Sequence, residues 1–588
     1  MRIENAAITL ALAALAVLPL LEALLRKTLH VGISGSGALV QHLTLAVGML
    51  GGAIAARENR LLSLSTLGSM LKGWSGRLTG VLSGACAAAV SAVLVASCWE
   101  FVRAERQSGQ ALAYGIPLWC VQAIIPAGFG LIALRLLWHA AKSWIGRGLA
   151  AVLAAAWILL WHGVPMAALA VLAAATVSGV PVFVTLGGVA LILFSRAGEP
   201  IASIPIAHYS LVTNPALATM PLFTLAGYLL AEGGAPRRLI RVFHSLLGNV
   251  RGGPAIVTAV VCGFFTSFTG GSGVTILALG GLLMPVLISQ RHNERDALGL
   301  VTGAGSLGLL FPPCLPLILY AIVAKVPMEK MFLGGIVPGV LLLAATAIWG
   351  IFTQGRGETR PALVFDGSQA RHALWEAKWE LLVPVVALVA LFGGFATPVE
   401  AAAMTALYVL CIETLVYRDL KFTTDVPRVM SECGLLIGGV LLILGVALGF
   451  TNYLVDANVT ARAAEWAASS IHSRWAFLLA LNLFLLVVGC LMDIYSAIVI
   501  QAPLMVTIGA AFGIDPVHLG IIFLANLELG YLTPPVGLNL FMSAFRFKKP
   551  VPEVLRAVFP LTLVLSAGVL VITYVPALTT TLPRWFGR

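Results

Sequence analysis

Long apolar runs separated by short charged links occupy the first part of the chain. Four such runs cover residues 6–25, 38–56, 81–99 and 118–138, and charged groups such as Arg26-Lys27 fall between them. Each run approaches the roughly 20 residues that a helix needs to cross a lipid bilayer. The pattern therefore predicts a unit of four membrane-spanning helices over residues 1–140.

The pattern of apolar segments changes after this unit. The basic and aromatic stretch Lys142-Ser-Trp-Ile-Gly-Arg147 precedes one more apolar run, and we expect residues 141–163 to form a connecting helix. From residue 164 the apolar segments are shorter and are interrupted by glycine and proline. We predict a second unit over residues 164–588, with two repeats at about 200–352 and 420–577.

One stretch of the second unit, residues 303–320, breaks an otherwise apolar run. It holds three glycines and a proline cluster that begins with Pro312-Pro313. Because proline lacks a backbone N–H donor and clashes with the preceding turn, a helix must break here. Inside a membrane, broken backbone persists only where protein buries it or where it lines a water-filled cavity.

The same feature recurs at Gly530-Tyr-Leu-Thr-Pro-Pro-Val-Gly-Leu-Asn539. Gly308 and Gly530 each precede a Pro-Pro pair by four residues, so the offset between the copies is 530 − 308 = 222 residues. Two interrupted helices at corresponding positions of two halves are typical of a transporter binding site. The sequence therefore predicts an inverted-repeat transport unit with helical hairpins and broken helices.

Composition agrees with a membrane protein. Of the 588 residues, 59% are hydrophobic and only 10% are charged, against about 25% charged in soluble domains. We predict an all-α polytopic membrane protein with roughly 16–17 spans. The net charge of +11 fits loop residues that set membrane topology, and no basic run interleaved with aromatics indicates nucleic-acid binding. The eight cysteines include no CxxC pair and resemble small buried residues.

Hydroxyl groups and glycines crowd the stretch Thr266-Ser-Phe-Thr-Gly-Gly-Ser-Gly-Val-Thr275. Hydroxyl and carbonyl oxygens are hard neutral donors, which suit Na⁺ better than a transition metal. Close packing of helices through small residues is the alternative explanation. The neighbouring broken helix leads us to favour the ion site.

Three carboxylates lie within or beside apolar runs, at Glu400, Asp493 and Glu528. An intramembrane carboxylate is costly, so each needs a partner or a role. For Asp493 we favour coupling or gating over a structural hydrogen bond. Glu400 stands near a helix start, where it can complement the helix dipole. Glu528 shares the neighbourhood of the second break and is a candidate to orient it.

Two segments have patterns that suit a membrane surface. Arginines alternate with apolar positions in residues 236–248, which predicts an amphipathic helix that binds an anionic membrane face or caps the bundle. The mixed segment from Leu62 to Trp74 is a candidate to lie along the interface. We place the longest polar segment, residues 354–380, in the cytoplasm.

Several motifs resemble a known family. These are Phe311-Pro-Pro-Cys-Leu-Pro-Leu-Ile-Leu-Tyr, Met331-Phe-Leu-Gly-Gly-Ile-Val-Pro-Gly339, Thr397-Pro-Val-Glu-Ala-Ala-Ala and Asn526-Leu-Glu-Leu-Gly-Tyr-Leu-Thr-Pro-Pro-Val-Gly-Leu-Asn. They look like the large membrane subunit of tripartite ATP-independent periplasmic (TRAP) transporters, over residues 164–580. Residues 1–140 look like the small four-helix subunit. The whole chain thus resembles the fused form of the two subunits.

The resemblance implies a Na⁺-driven secondary importer of the bacterial inner membrane with an elevator mechanism. The small-subunit helices would brace a static scaffold. A periplasmic substrate-binding protein would deliver a small organic anion with a carboxylate, and membrane lipid would surround the chain.

The resemblance also implies two Na⁺ sites where hairpin tips meet broken helices. The first falls on Thr266, Thr269, Gly308, Phe311 and Pro313. The second falls on Gly489, Asp493, Gly530, Thr533 and Val536. We place the substrate pocket among the neighbouring polar side chains of Ser267, Ser272, Cys314, Ser496 and Asn539.

Two other functions compete with this hypothesis. The first is a Na⁺/anion symporter of the same architecture that needs no binding protein, which uptake with and without a periplasmic fraction would distinguish. The second is an intramembrane hydrolase with Ser272 or Asp493 as the catalytic residue. We disfavour the hydrolase because the sequence has no HExxH or GxSxG motif, and we therefore predict that the protein is not an enzyme.

Overall fold

The computed structural model describes residues 3–63, 74–247, 252–290, 292–354 and 366–586. Within these ranges every regular element is a helix, apart from two isolated β-bridges. The prediction of an all-α protein is therefore confirmed. Residues 64–73 of the proposed interfacial segment and residues 355–365 of the polar segment lie outside the described chain.

Many of the helices are suited to cross a membrane. In the described ranges, 12 helices are long and apolar enough, or up to 14 if each of two bent pairs forms one span. One bent pair joins Pro215–Glu232 to Ala235–Leu247 at 72°, and the other joins Glu294–Leu310 to Leu315–Val323 at 43°. The second bend falls at the Pro-Pro break that the sequence predicted. The multi-pass architecture is confirmed, but the number is below the roughly 16–17 predicted spans because four further apolar helices in the described ranges are shorter than 18 residues.

The chain divides into two compact units, of which the first comprises Met1–Pro221 and Met430–Ala463. Its helices are Ile3–Thr28, Ser36–Arg57, Trp74–Ser108, Leu118–Gln122, Ile124–His139, Trp144–Gly163, Pro165–Val177, Val182–Ala197, Ser203–Val212 and most of Asp425–Asp456, with short 3-10 turns at Ala113–Gly115 and Pro215–Ala218.

Small residues and ion pairs hold the first unit together. A Cβ atom built on Gly51 would lie 2.9 Å from the Cα atom of Gly438, so the two helices approach through their backbones. The guanidinium of Arg57 contacts the Glu4 carboxylate at 2.5 Å, and Arg135 pairs with the same carboxylate. The first, second and fourth spans of the region are thus joined by one carboxylate.

The second unit comprises Leu222–Val429 and Ala464–Arg588. The helices that lie wholly or mainly in it are Thr219–Glu232, Ala235–Leu247, Gly253–Thr269, Ser272–Ser289, Glu294–Ala304, Leu315–Val323, Met328–Thr353, Gly367–Glu376, Lys378–Leu381, Val383–Phe392, Pro398–Cys411, Val459–Ser470, Arg474–Leu491, Ile494–Ala511, Pro516–Gly530, Leu538–Phe547, Val551–Tyr574 and Ala577–Phe586, with a 3-10 turn at Leu307–Leu310 and a π-helical turn at Ile412–Val416.

Two helical hairpins of this unit correspond to one another. Hairpin 1 has the arms Gly253–Thr269 and Ser272–Ser289, and hairpin 2 has the arms Arg474–Leu491 and Ile494–Ala511. Adding the sequence offset of 222 to the second arm of hairpin 1 gives the bounds of the second arm of hairpin 2. The offset of 222 residues between the two Pro-Pro pairs therefore also relates the second arms of the two hairpins along their whole length.

Each hairpin is followed by a broken helix. Broken helix 1 has the halves Glu294–Ala304 and Leu315–Val323, and broken helix 2 has the halves Pro516–Gly530 and Leu538–Phe547. The peptide bonds Pro312-Pro313 and Pro534-Pro535 in the two breaks are both cis.

The two repeats exchange partners in the same way. The second arm of hairpin 1 packs against the second half of broken helix 2. In turn, the second arm of hairpin 2 packs against the second half of broken helix 1. The exchange obeys the internal symmetry, and it joins each hairpin to the broken helix of the opposite repeat.

The amphipathic basic helix is present at Ala235–Leu247. Arg238 lies 2.5 Å from the carboxylate of Glu380 and 2.6 Å from that of Asp419. Arg241 lies 2.6 Å from Glu376. Two of the arginines that suggested an anionic membrane face therefore pair with protein carboxylates, and the structure favours the alternative of a bundle-capping helix.

Candidate functional site

The tip of hairpin 1 lies against elements of both repeats. The hydroxyl of Tyr495 donates a hydrogen bond to the carbonyl oxygen of Gly270 at 2.5 Å. A Cβ atom built on Gly270 would lie 2.8 Å from the Cβ atom of Leu315. The tip therefore contacts the start of the second arm of hairpin 2 and the start of the second half of broken helix 1.

Four helix N-termini belong to this region. The second arms begin at Ser272 and Ile494, and the second halves begin at Leu315 and Leu538. A Cβ atom built on Gly273 would lie 3.2 Å from Cγ of Met542, so the first turn of the second arm of hairpin 1 packs against the middle of the second half of broken helix 2. A helix N-terminus carries partial positive charge and free N–H groups, which favour an anion. The Asp493 carboxylate caps the helix that begins at Ile494 and offsets its charge, so the other three N-termini are the ones that favour an anion.

Three threonine hydroxyls meet in the tip region of hairpin 1. Thr266 Oγ1 lies 2.7 Å from Thr275 Oγ1 and donates to the carbonyl oxygen of Gly305 at 2.7 Å. Thr269 Oγ1 lies 3.5 Å from Thr275 Oγ1. All three side chains are at most 1% exposed. Together they form a buried group of neutral oxygens of the kind that suits Na⁺.

The other predicted residues of the first site lie on the adjoining break. A Cβ atom built on Gly308 would lie 2.6 Å from the Cβ atom of Thr266, so glycine permits close approach of the two segments. The carbonyl oxygens of Gly308 and Phe311 each accept one backbone hydrogen bond, and a carbonyl has a second lone pair for a cation. Pro313 is buried beside them.

The second predicted site has the same kind of backbone approach. A Cβ atom built on Gly530 would lie 2.6 Å from the Cα atom of Gly489. The N–H of Val536 donates to the carbonyl oxygen of Cys490 at 3.2 Å. Thr533 Oγ1 donates to the Gly530 carbonyl oxygen at 3.0 Å. Hairpin 2 and broken helix 2 thus bring four of the five predicted residues together.

Asp493, the fifth residue, caps the second arm of hairpin 2. Its carboxylate accepts bonds from the backbone N–H of Ser496 at 3.0 Å and from the Ser496 hydroxyl at 2.6 Å. Glu400 likewise forms a capping box with Thr397, whose N–H donates to the carboxylate at 2.8 Å. Both carboxylates therefore have structural roles.

The two breaks differ in exposure. Pro313 is buried, whereas Pro534 and Pro535 are exposed. Thr533 is also partly exposed, but its counterpart in the first site, Phe311, is partly exposed as well. The second predicted site is therefore more open around its prolines than the first.

The predicted substrate-pocket residues fall into two classes. Ser267 donates to Phe264 O within its own helix, Ser496 belongs to the Asp493 cap, and the Cys314 thiol lies 3.9 Å from the Thr266 carbonyl oxygen. By contrast, the buried hydroxyl of Ser272 and the buried Oδ1 of Asn539 have no hydrogen-bond partner in the described chain. Of the five predicted pocket residues, these two have unpartnered polar atoms in the described chain.

The sequence did not indicate the Tyr495 contact or the polar contacts of Thr302, whereas Glu528 was a candidate to orient the second break. Tyr495 follows the tip aspartate in an apolar run, and a tyrosine there is the signal that sequence reasoning overlooked. Thr302 donates to Ser543 Oγ at 2.9 Å, and Asn539 donates to the Thr302 carbonyl oxygen at 3.2 Å. Glu528 is 2% exposed, and neither carboxylate oxygen has a hydrogen-bond partner among the described residues.

Comparison with protein families divides the chain into two parts. The family model described as "Tripartite ATP-independent periplasmic transporter, DctM component" matches residues 169–578. The model described as "Tripartite ATP-independent periplasmic transporters, DctQ component" matches residues 15–146. One polypeptide therefore carries both membrane components.

Curated relatives agree with this division. The isethionate TRAP transporter permease protein DctMQ of Oleidesulfovibrio alaskensis is 34% identical over 79% of this chain and 75% of its own length. The C4-dicarboxylate TRAP transporter large permease protein DctM of Pseudomonas aeruginosa is 34% identical over 68% of this chain and 93% of its own length. Among solved structures, the YdaH transporter of Alcanivorax borkumensis gives a TM-score of 0.44 at 14% identity over 63% of this chain and 85% of that chain.

These matches confirm the resemblance that the motifs indicated, and they identify a permease of the inner membrane rather than an enzyme. The chain belongs to the tripartite ATP-independent periplasmic transporter family, as a multi-pass permease in which the DctQ and DctM components are fused.

Proposed function

We propose that the protein is a Na⁺-coupled importer of a small organic anion. The observation that carries this proposal is that helices of both repeats begin in the region of the hairpin tips and breaks, where two polar groups, Ser272 Oγ and Asn539 Oδ1, have no hydrogen-bond partner among the described residues. Helix N-termini favour negative charge. The neutral oxygens around Thr266 and Gly530 supply places for Na⁺ on the hairpin sides of the same region.

Basic side chains are absent from the breaks and the hairpin tips, and Arg474 at the outer end of hairpin 2 is the one basic residue of the two hairpins. This distribution supports coupling. No lysine or arginine occurs in residues 252–290, 296–324 or 475–545. An anion bound there has only helix dipoles, hydrogen-bond donors and bound cations to offset its charge. Because opposite charges attract strongly in a low-dielectric site, Na⁺ and the anion stabilise one another, and the two are carried together.

Relatives narrow the class of substrate. Two of the most similar proteins are named for isethionate and for C4-dicarboxylates, and both compounds are small organic anions. We propose a substrate of this class, with its acid group toward the helix N-termini and its polar remainder toward Ser272 and Asn539.

A periplasmic protein completes the proposed system. The family is tripartite, and this chain supplies two of the components. We propose that a separate periplasmic binding protein delivers the anion, and that the hairpins and broken helices then carry it across by an elevator-type movement.

Reconstitution of the purified chain in proteoliposomes tests the proposal. With an inward Na⁺ gradient and a cognate binding protein, we expect uptake of a labelled C4-dicarboxylate or isethionate, and none when K⁺ replaces Na⁺. Uptake that is equal in Na⁺ and K⁺ would contradict the coupling. Uptake that needs no binding protein would support a binding-protein-independent symporter of the same architecture.

A further inference from the structure

An open cavity lies at the far end of broken helix 2, away from the break. Its volume is about 710 Å³, and it is bounded by the second arm of hairpin 1 and by the residues that follow the second half of broken helix 2. The lining residues are Leu277, Ala544, Phe545, Arg546, Lys548, Lys549 and Pro550. Three cationic side chains therefore share one cavity.

Two of these cations are uncompensated. Lys549 pairs with Glu294 at 3.1 Å and with Glu553 at 2.9 Å. The side chains of Arg546 and Lys548 make no ion pair or hydrogen bond within the described chain. The Arg546 guanidinium instead lies across the glycines of hairpin 1, where a Cβ atom built on Gly281 would be 3.0 Å from its Cζ atom. The cavity thus has an excess of positive charge.

Apolar side chains line the same cavity and remain exposed. Phe545 is 79% exposed, and Leu277 is 36% exposed. A cavity for a free inorganic anion has no need of such side chains. A cationic end combined with exposed apolar side chains matches an amphiphile with an anionic head and a hydrocarbon tail.

The depth of the cavity fits a phospholipid headgroup. The second half of broken helix 2 has ten residues, which span about 15 Å, half of the roughly 30 Å hydrocarbon core. A helix that starts at a break in mid-membrane therefore ends near the interface. Another helix end lies here, because Lys549 in the cavity lining pairs at 3.1 Å with Glu294, the first residue of broken helix 1.

We propose that this cavity binds one anionic phospholipid, with the headgroup phosphate between Arg546 and Lys548 and an acyl chain along Leu277 and Phe545. Guanidinium and ammonium groups bind phosphate through charge-assisted hydrogen bonds. Because the cavity is shared by hairpin 1 and broken helix 2, the lipid joins a hairpin to the broken helix of the opposite repeat. Bound lipid therefore stabilises this packing by mass action.

Native mass spectrometry of the purified full-length chain tests the proposal, with phosphatidylglycerol and phosphatidylethanolamine as probes. In the double variant Arg546→Gln/Lys548→Gln we expect one phosphatidylglycerol fewer per chain and an affinity weaker by roughly 10- to 30-fold. Phosphatidylethanolamine binding should not change. The matched control is Arg556→Gln, an exposed arginine outside the cavity lining, which should keep the wild-type lipid count.

A thermal-melting series distinguishes lipid from free anion. Phosphatidylglycerol should raise the melting temperature of the wild-type chain but not of the double variant, while both melt alike without lipid. Phe545→Ser should weaken the lipid effect although both cations remain. Equal phosphatidylglycerol binding by the double variant would overturn the proposal, as would an equal loss in the control. Stabilisation by inorganic phosphate that requires Arg546 would also overturn it, because it would indicate a free-anion site.

Discussion

The hydroxyl of Tyr495 donates to the carbonyl oxygen of Gly270 at 2.5 Å, so a side chain of hairpin 2 holds the tip of hairpin 1. The sequence offset of 222 residues gives Gly273 as the counterpart of Tyr495. Glycine has no side chain to return the bond, and its Cα faces Met542 instead. Hairpin 2 therefore donates a side-chain hydrogen bond to the tip of hairpin 1, but the counterpart residue in hairpin 1 cannot donate one to hairpin 2. This difference breaks the internal symmetry at the candidate site.

Tyr495→Phe should slow Na⁺-dependent uptake with little loss of stability. The variant keeps the buried ring but removes one neutral hydrogen bond, which contributes about 1 kcal/mol. We expect a severalfold weaker apparent affinity for substrate because the Gly270 tip loses its attachment. Uptake in proteoliposomes and a thermal melt measure the two effects. Tyr574→Phe, whose hydroxyl reaches the Trp475 carbonyl oxygen at only 3.4 Å, is the control, and equal effects of both variants would contradict a special role for Tyr495.

Gly308→Ala should disrupt the first predicted Na⁺ site. The added methyl group would lie 2.6 Å from the Thr266 Cβ atom and would force hairpin 1 away from broken helix 1. Overpacking of this kind costs about 1–3 kcal/mol, and we expect Na⁺-driven uptake to be lost. Gly263→Ala on the same hairpin meets nothing closer than 3.5 Å, so it should transport normally. Normal uptake by Gly308→Ala would place the site elsewhere.

The sequence was sufficient for features that depend on local backbone chemistry. The breaks at Pro312-Pro313 and Pro534-Pro535 follow from the missing proline donor, and the 222-residue offset follows from their spacing. The ends of both hairpins then agree with the same offset. These inferences needed no knowledge of which helices touch.

Features that depend on distant partners were beyond the sequence pattern. The alternation of arginines in Ala235–Leu247 fits a lipid surface and a row of protein carboxylates equally well. The contact with Glu380 distinguishes the two, but Glu380 lies 142 residues from Arg238 along the chain. The cap that Asp493 makes to Ser496 is local by contrast, but it depends on where the second arm begins, which the run of apolar residues does not mark. A role of Asp493 in coupling stays a prediction.

Arg238→Gln should destabilise the second unit strongly. The guanidinium is the partner of Glu380, which is 0% exposed, and it lies 3.5 Å from the equally buried Glu413. Burial raises the pKa of Glu380, and Arg238 opposes that rise. Removing one partner of a buried ion pair costs about 3–5 kcal/mol.

Thermal melting of the purified chain measures the loss of stability in Arg238→Gln, with Arg241→Gln as the control. That arginine pairs with Glu376 at the surface, and we expect a cost of about 0–1 kcal/mol. The double variant Arg238→Gln/Glu380→Gln should recover part of the stability, because it removes the uncompensated charge. Equal melting temperatures of the two single variants would show that the ion pairs of Arg238 contribute no more to stability than a surface ion pair.

His292, in the link between hairpin 1 and broken helix 1, should make stability fall in acid. The imidazole is 3% exposed, and its Nε2 lies 3.1 Å from the Gly350 carbonyl oxygen. Burial lowers the pKa of His292 below its ordinary value of 6.5. Above that pH the ring is neutral in both the folded and unfolded chains. Below it, the unfolded chain gains a proton that the folded chain does not yet bind, so stability declines as pH falls toward the folded pKa.

Thermal melts between about pH 5 and about pH 8 check this direction. His292→Gln should flatten the acid side of the profile because the titrating group is gone. His372→Gln changes an exposed histidine on Gly367–Glu376, so the profile should keep its wild-type shape. An unchanged profile in His292→Gln would assign the acid sensitivity to other groups.

Thr533→Ala should weaken the Na⁺ dependence of uptake without unfolding the protein. The lost hydroxyl bonds only to the Gly530 carbonyl oxygen one turn earlier, so the cost in stability is about 1 kcal/mol or less. If Thr533 supplies an oxygen to Na⁺, the Na⁺ concentration for half-maximal uptake rises severalfold. Thr507→Ala removes the same kind of intrahelical bond, to Pro503, from the exposed side of hairpin 2 and should leave that concentration unchanged. Identical Na⁺ curves for wild type and Thr533→Ala would exclude this hydroxyl from the second site, because a ligand oxygen at the ion contributes to its affinity whichever step limits transport.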